Sequence, residues 1–219
     1  MQKRANEVWC REVCSRINLT GMRSMKPKAY LFVFDGLADW EPALALCEIR
    51  KSGKYDVRTA GESRQPVVTM AGLKIMPDIT IDEIEPRETT IFILPGGDPW
   101  EKGPHPKMHD FLRRFHAQEI LIGALCAATL EIVRAGLAAG VRHTSNGKAY
   151  LKKMVPDYKD EGFYVNELAV TDHKIITASG LGSVEFAREV VRELEIYSAA
   201  DTAMWFEMFK QGVIPAGLL

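Results

Sequence analysis

The stretch ILIGALCAATLEIV, Ile120 to Val133, changes its hydrophobic period at a single residue. Four of its first five residues are apolar, a run that suits a strand buried on both faces of a parallel sheet. From Ala127 onward, Leu130, Val133 and Leu137 recur at the spacing of one helix face, with Thr129 and Glu131 turned elsewhere. Cys126 sits at the join. Between the end of a buried strand and the first turn of a helix, free backbone N–H groups and the positive end of the helix dipole converge. That setting predicts a stabilised thiolate, since helix N-termini and cationic neighbours lower a cysteine pKa from about 8.5 to roughly 3.5–7.5. The competing reading is a buried cysteine packed as a small hydrophobe. The strand-turn-helix placement favours a reactive thiol, expected to be modified ahead of Cys47.

A chain of 219 residues, 47% of them hydrophobic, can bury a full core as one domain. The net charge of −1 and the lack of a Lys/Arg block point away from nucleic acid and from a polybasic membrane patch. No apolar run approaches the ~20 residues of a membrane span, and no N-terminal segment reads as a signal peptide. A cytoplasmic setting with reduced thiols is therefore expected. Cys10, Cys14, Cys47 and Cys126 lack paired C-x-x-C spacing, and with five scattered histidines they form no recognisable zinc site. Neither a metal nor another cofactor is expected. Partners are a small-molecule substrate or oxidant and a second copy of the chain.

Residues 1–24 are mixed polar and read as an N-terminal extension, either frayed or a short helix, ahead of a single domain over 25–219. AYLFVF, Ala29 to Phe34, reads as the first buried strand. A helix follows, with Asp39 as N-cap, Pro42 in its first turn, Cys47 in the core and Gly53 at its end. Tyr55 to Ala60 completes a strand-helix-strand unit of the kind that builds parallel sheets. Val67 to Met76 reads as a hairpin turned at Ala71-Gly72. Ile91 to Leu94 is another buried strand, and Pro95-Gly96-Gly97 forces a sharp turn at its carboxyl end, where glycine permits close backbone approach. A helix over about 106–115 leads into the Cys126 strand. His143 to Asn146 reads as a short strand, and Leu168–Val170 and Lys174–Ala178 as two more, turned at Asp172-His173. Gly180-Leu181-Gly182 is a tight turn before an amphipathic helix through Leu194; without a Lys-Ser/Thr pair it makes no phosphate loop. A last helix carries Trp205, Phe206 and Phe209 as packing or dimer contacts.

FDGLADWE after the first strand, LPGGDPW and GALCAAT, with HTSN and TASGLGS in support, together resemble the ThiJ/PfpI superfamily over roughly residues 28–195. Its domain is like that of class I glutamine amidotransferases. The resemblance implies a flavodoxin-like three-layer sandwich, a mainly parallel sheet with helices on both faces and a nucleophile-elbow cysteine. It also implies Cys126 as nucleophile, with the N–H groups of Gly97 and Ala127 as oxyanion donors beside Gly96. Homodimerisation is expected from the family. Where relatives carry a glutamate that contacts the cysteine, the aligned position here is Ala38, with Asp39 and Glu41 as neighbours; Glu41, one helical turn on, is read as a substitute or as an ordinary exposed helix residue. Where relatives carry a histidine, this chain has Ala127 and Asn146, and His143 lies close by.

Two functional readings follow. The first is a cysteine-dependent hydrolase or lyase acting on a small carbonyl or acyl compound. In it Glu41, Asp39 or His143 is the proton carrier, and Trp40 and Trp100 are pocket walls beside Gly96 and Asn146. The second is a redox- or stress-responsive protein that uses oxidation of Cys126. A glutaminase with a Cys-His-Glu triad is not expected.

Overall fold

A computed structural model describes residues 26–214. The readings for residues 1–24, including Cys10 and Cys14, lie outside the described residues. A seven-stranded sheet runs β1 (Lys28–Phe32), β2 (Asp56–Gly61), β5 (Ile79–Thr80), β6 (Thr89–Leu94), β7 (Leu121–Leu125), β8 (Ala169–Asp172) and β9 (Ile175–Ala178) in the spatial order β5-β2-β1-β6-β7-β9-β8. Every pairing is parallel except β8 with β9, which a two-residue turn at His173 and Lys174 joins. The hairpin of β3 (Val67–Val68) and β4 (Lys74–Ile75) stands apart as a small second sheet, turned at Gly72 as expected.

Alternation along the central strands divides the core. Ala29 and Leu31 of β1, with Ile91 and Ile93 of β6, face α1 (Trp40–Lys51), α5 (Ser183–Glu193) and α6 (Ala199–Gln211). Tyr30, Phe32, Phe92 and Leu94 point the other way, against α2 (Pro106–His116) and α3 (Thr129–Arg134), and α4 (Lys148–Met154) packs its Leu151 with Leu130 of α3. Strands flanked on both faces cannot spare a polar position, which explains their continuous apolar runs. Gly123 in β7 is required for close packing: a side chain there would begin 2.7 Å from the Phe186 ring of α5. The sandwich is thus flavodoxin-like in its layers.

Four local readings change. His143 to Asn146 does not form a strand; only His143 pairs, in an isolated bridge with Tyr164. Asp39 stands at the N-cap of α1 without capping it, because its carboxylate accepts the Ala71 N–H at 2.8 Å and ties the hairpin to this turn. Cys47 is exposed rather than core. Glu41 reverses in the opposite sense, being fully buried. Amphipathic helices are assigned sides by majority, and both exceptions fall in α1, whose apolar residues do not confine themselves to one face.

Candidate active site

Parallel register sets the carboxyl ends of β1, β6, β7 and β9 side by side, with Leu94 opposite Ala124 and Leu125 opposite Ala178. The residues that follow each strand therefore converge on one crevice, where ligands bind in open α/β sheets. Cys126 follows β7 with φ +53, a left-handed conformation that costs a non-glycine residue of order 1–3 kcal/mol. The strain turns the chain sharply and lifts Sγ out of the sheet into the crevice. Thr129 braces the elbow: its hydroxyl donates to the Cys126 carbonyl and pairs with Ser145 Oγ at 2.6 Å.

Three groups address Sγ. Asn146 Nδ2 lies 3.1 Å away, and its amide orientation is fixed because Oδ1 accepts the Gly180 N–H at 2.9 Å. The Ala127 N–H favours the ionised sulfur as well. The third is Glu41, which reaches in from the first turn of α1. Its Oε2 accepts the Gly96 N–H at 2.6 Å, Oε1 has no hydrogen-bond partner among the described residues, and the carboxyl lies near enough to Cys126 for each to shift the other's ionisation. Gly96 and Gly180 make room. A side chain at Gly96 would begin 2.6 Å from Cys126 Cβ and 2.7 Å from both Glu41 oxygens, and one at Gly180 would begin 3.0 Å from Sγ.

Burial raises the Glu41 carboxyl above its ordinary pKa, and the Gly96 N–H only partly offsets this. Burial, followed by the charge of Glu41, pushes the Cys126 thiol up to about 11, against the pull of Asn146 and Ala127. Burial thus favours the neutral form of both groups, which runs against the expected resting thiolate. The helix dipole is weak here because Cys126 to Ala128 form a single 3-10 turn and α3 has only six residues. Iodoacetamide at pH 7 should accordingly modify exposed Cys47 before Cys126, read by peptide mass spectrometry. Labelling of Cys126 first would show that the sulfur rests as thiolate.

His143 is not among the groups at Sγ. It is buried, with Nδ1 2.7 Å from the Val141 carbonyl and Nε2 2.6 Å from the Tyr158 hydroxyl, so both ring nitrogens are used in holding the loop after α3. Removing it leaves buried polar groups unpaired. His143→Ala should cost about 1–3 kcal/mol in chemical denaturation, with the Cys126-dependent rate retained in the folded fraction. Asp39 is occupied by Ala71, as described above. Trp40 is 54% exposed on the outer side of the α1 start. Trp100 is buried, its Nε1 donating to the Pro95 carbonyl at 2.9 Å, and it packs with Phe32 and Phe34. Ala38 supplies backbone only, its N–H donating to the Gly96 carbonyl at 2.9 Å, so the carboxylate comes from one turn further along the chain. Sequence reasoning missed Gly180 as a neighbour of the sulfur; the parallel pairing of β9 with β7 was the signal that could have found it. It also missed the Tyr150 hydroxyl, which donates to Glu101 Oε1 at 2.7 Å and is electrostatically coupled to Cys126. Among the described residues no group of three or more His, Cys, Asp and Glu side chains could hold a metal ion.

The sequence pattern of the DJ-1/PfpI family matches residues 27–193. A Bacillus subtilis protein named "Uncharacterized protease YoaZ" is 34% identical over 195 residues, 84% of this chain and 90% of its own length. The Caenorhabditis elegans protein named "Glutathione-independent glyoxalase DJR-1.2" is 30% identical over 145 residues, 65% of this chain and 75% of its own. Among solved structures, a DJ-1 superfamily protein from Agrobacterium tumefaciens superposes with a TM-score of 0.78 at 30% identity, covering 86% of this chain and 99% of that one. With the elbow cysteine and the converging strand ends, these matches establish that the chain belongs to the DJ-1/PfpI family.

Proposed function

We propose that the protein is a cysteine-dependent hydrolase or lyase acting on a small carbonyl or acyl compound, with Glu41 as the base that activates Cys126. The observation that carries this reading is the fully buried Glu41 carboxyl beside the elbow cysteine, with one oxygen taken by the Gly96 N–H and the other without a partner among the described residues. A carboxylate whose pKa burial raises is a better proton acceptor than a solvated one, and a thiol needs such an acceptor at the moment of attack. As Sγ bonds to the carbonyl carbon, the thiol proton passes to Glu41 and the carbonyl π pair moves onto oxygen. The N–H groups of Gly97 and Ala127 stabilise that oxyanion. Glu41 then returns the proton to the oxygen of an adduct or to a departing group. Relatives named as a protease and as a glyoxalase support the same two reaction classes.

The redox reading is weaker on physical grounds. Peroxide oxidises the thiolate, and a thiol pushed up to about 11 offers little of it at neutral pH. The test is quenched-flow mass spectrometry with p-nitrophenyl acetate and with methylglyoxal as probes. An acyl or hemithioacetal mass on the Cys126 peptide, formed and lost during turnover, is expected. Consumption of both probes without any adduct at Cys126 would overturn the proposal.

A further inference from the structure

Asn146, whose amide holds the elbow sulfur, is followed by Gly147, and of the four asparagines in the chain it alone precedes a glycine. Asn6 and Asn166 precede glutamates and Asn18 a leucine. The peptide nitrogen after an asparagine can attack that residue's own side-chain carbonyl carbon and close a five-membered succinimide ring. A following side chain obstructs the approach, whereas glycine, with no Cβ, leaves it open. In a plain surface turn the outcome changes little. Here the amide is a contact of Cys126: Nδ2 lies 3.1 Å from Sγ, and Oδ1 accepts the Gly180 N–H at 2.9 Å.

Both partners of that reaction are free to meet. Gly147 stands just before α4; its carbonyl accepts the Leu151 N–H at 3.1 Å, while its own N–H donates no hydrogen bond among the described residues. Its φ of +139 belongs to the region that favours glycine, and a side chain there would meet nothing within 4 Å, so solvent base reaches the nitrogen. Asn146 is exposed as well. The Gly180 N–H polarises the Asn146 side-chain carbonyl and is aimed at the oxygen on which charge develops as nitrogen adds, the stabilisation an oxyanion hole provides.

We propose that Asn146 is a self-modification site, whose deamidation through a succinimide with Gly147 lowers the reactivity of Cys126. Solvent hydroxide removes the Gly147 N–H proton, and the nitrogen pair bonds to Asn146 Cγ as the carbonyl π pair moves onto Oδ1. Collapse of that intermediate breaks the Cγ–Nδ2 bond, and Nδ2 takes a proton from water and leaves as ammonia. Water then adds to one of the two succinimide carbonyls and reopens the ring as aspartate or isoaspartate. One water is consumed and one ammonia released, with no change of oxidation state. The product has lost the N–H donor to Sγ and carries a carboxylate in its place, a second acid beside the sulfur after Glu41. Lost donor and added charge both disfavour an ionised sulfur. The covalent change is independent of the reaction proposed for Cys126; its effect on turnover rests on that reading.

Incubation of the full chain in mildly alkaline buffer, sampled by peptide mass spectrometry, tests it, with exposed Asn166 as the internal reference. Asn146 should convert at least about tenfold faster than Asn166, because Gly147 leaves the approach open and Glu167 does not. Isoaspartate should form beside aspartate, the two being told apart by electron-transfer fragmentation. Modified chains, and Asn146→Asp, should lose about tenfold in the rate of Cys126 alkylation by iodoacetamide and in ester turnover, the effect of removing one hydrogen bond to a charged group. Asn146→Gln, whose longer side chain would have to close a six-membered ring, should show no decline from its own starting values. Should the wild type have no Cys126-dependent turnover to lose, the reaction proposed for Cys126 fails, and the alkylation rate alone decides the present proposal. Equal conversion of Asn146 and Asn166, aspartate formed without isoaspartate, or unchanged Cys126 alkylation in the modified chains would each overturn it.

Discussion

Glu41→Gln should slow Cys126-dependent turnover by about 10²- to 10⁴-fold, the usual contribution of a positioned acid-base group, and Cys126→Ser should remove it. Glutamine keeps the shape of the side chain and can still accept the Gly96 N–H, but it cannot take a proton from the thiol. The same substitution should stabilise the fold at pH 7. Glu41 has a folded-state pKa raised above its ordinary 4.5 by burial, so the folded state holds its proton more tightly than the unfolded state does. Its contribution to stability is fully present below about pH 4.5 and is lost as pH rises through the folded value. At pH 7 holding this group in its desolvated site costs stability, and glutamine removes that cost. The variant should therefore melt above wild type at pH 7, with the gap closing as pH falls toward 4.5. Loss of rate with a lower melting temperature at neutral pH would mean that Glu41 is a structural partner. An unchanged rate would mean that the proton goes elsewhere.

Much of this arrangement was legible in the residues. Buried parallel strands betray themselves by apolar runs, so β1, β6 and β7 were readable, as were the elbow at Cys126 and the Gly-Gly turn at Gly96. What could not be read were side-chain directions in short, irregular segments. Glu41 lies in the first turn of a helix, where a glutamate is commonplace and dipole-stabilised, and nothing local distinguishes a solvated one from one turned inward. Its burial is a tertiary fact, created where the β1 turn meets Gly96. His143 shows the opposite error. It lies near Asn146 in sequence, but the backbone between them gives each its own surroundings, so His143 reaches Tyr158 and Asn146 reaches Cys126. The raised thiol pKa was hidden for a related reason. A helix N-terminus can be inferred from local pattern, whereas a desolvating wall and a neighbouring carboxylate from another part of the chain cannot.

Gly96→Ala should damage both rate and fold, and the size of each effect follows from what the new methyl meets. It would begin 2.6 Å from Cys126 Cβ and 2.7 Å from both Glu41 oxygens. Glu41 could swing aside, but only by giving up the Gly96 N–H and placing a carboxylate in a buried site without a donor. Cys126 Cβ has no such freedom, because the left-handed elbow at φ +53 and the strand before it fix its position. The backbone must shift instead. Overpacking of this kind costs about 1–3 kcal/mol, and a displacement of about 1 Å in a reacting group can cost on the order of 10²-fold in rate. A chain of this size should lose roughly 2–4 °C in Tm per kcal/mol, so calorimetry and the ester assay together read both effects. Gly162→Ala is the matched control, since a side chain there meets nothing within 4 Å and the backbone needs no left-handed conformation. If Gly96→Ala behaved like that control in both measurements, the close meeting of the Gly96 turn, Glu41 and Cys126 would not exist in solution, and the base assigned to Glu41 would have to be withdrawn.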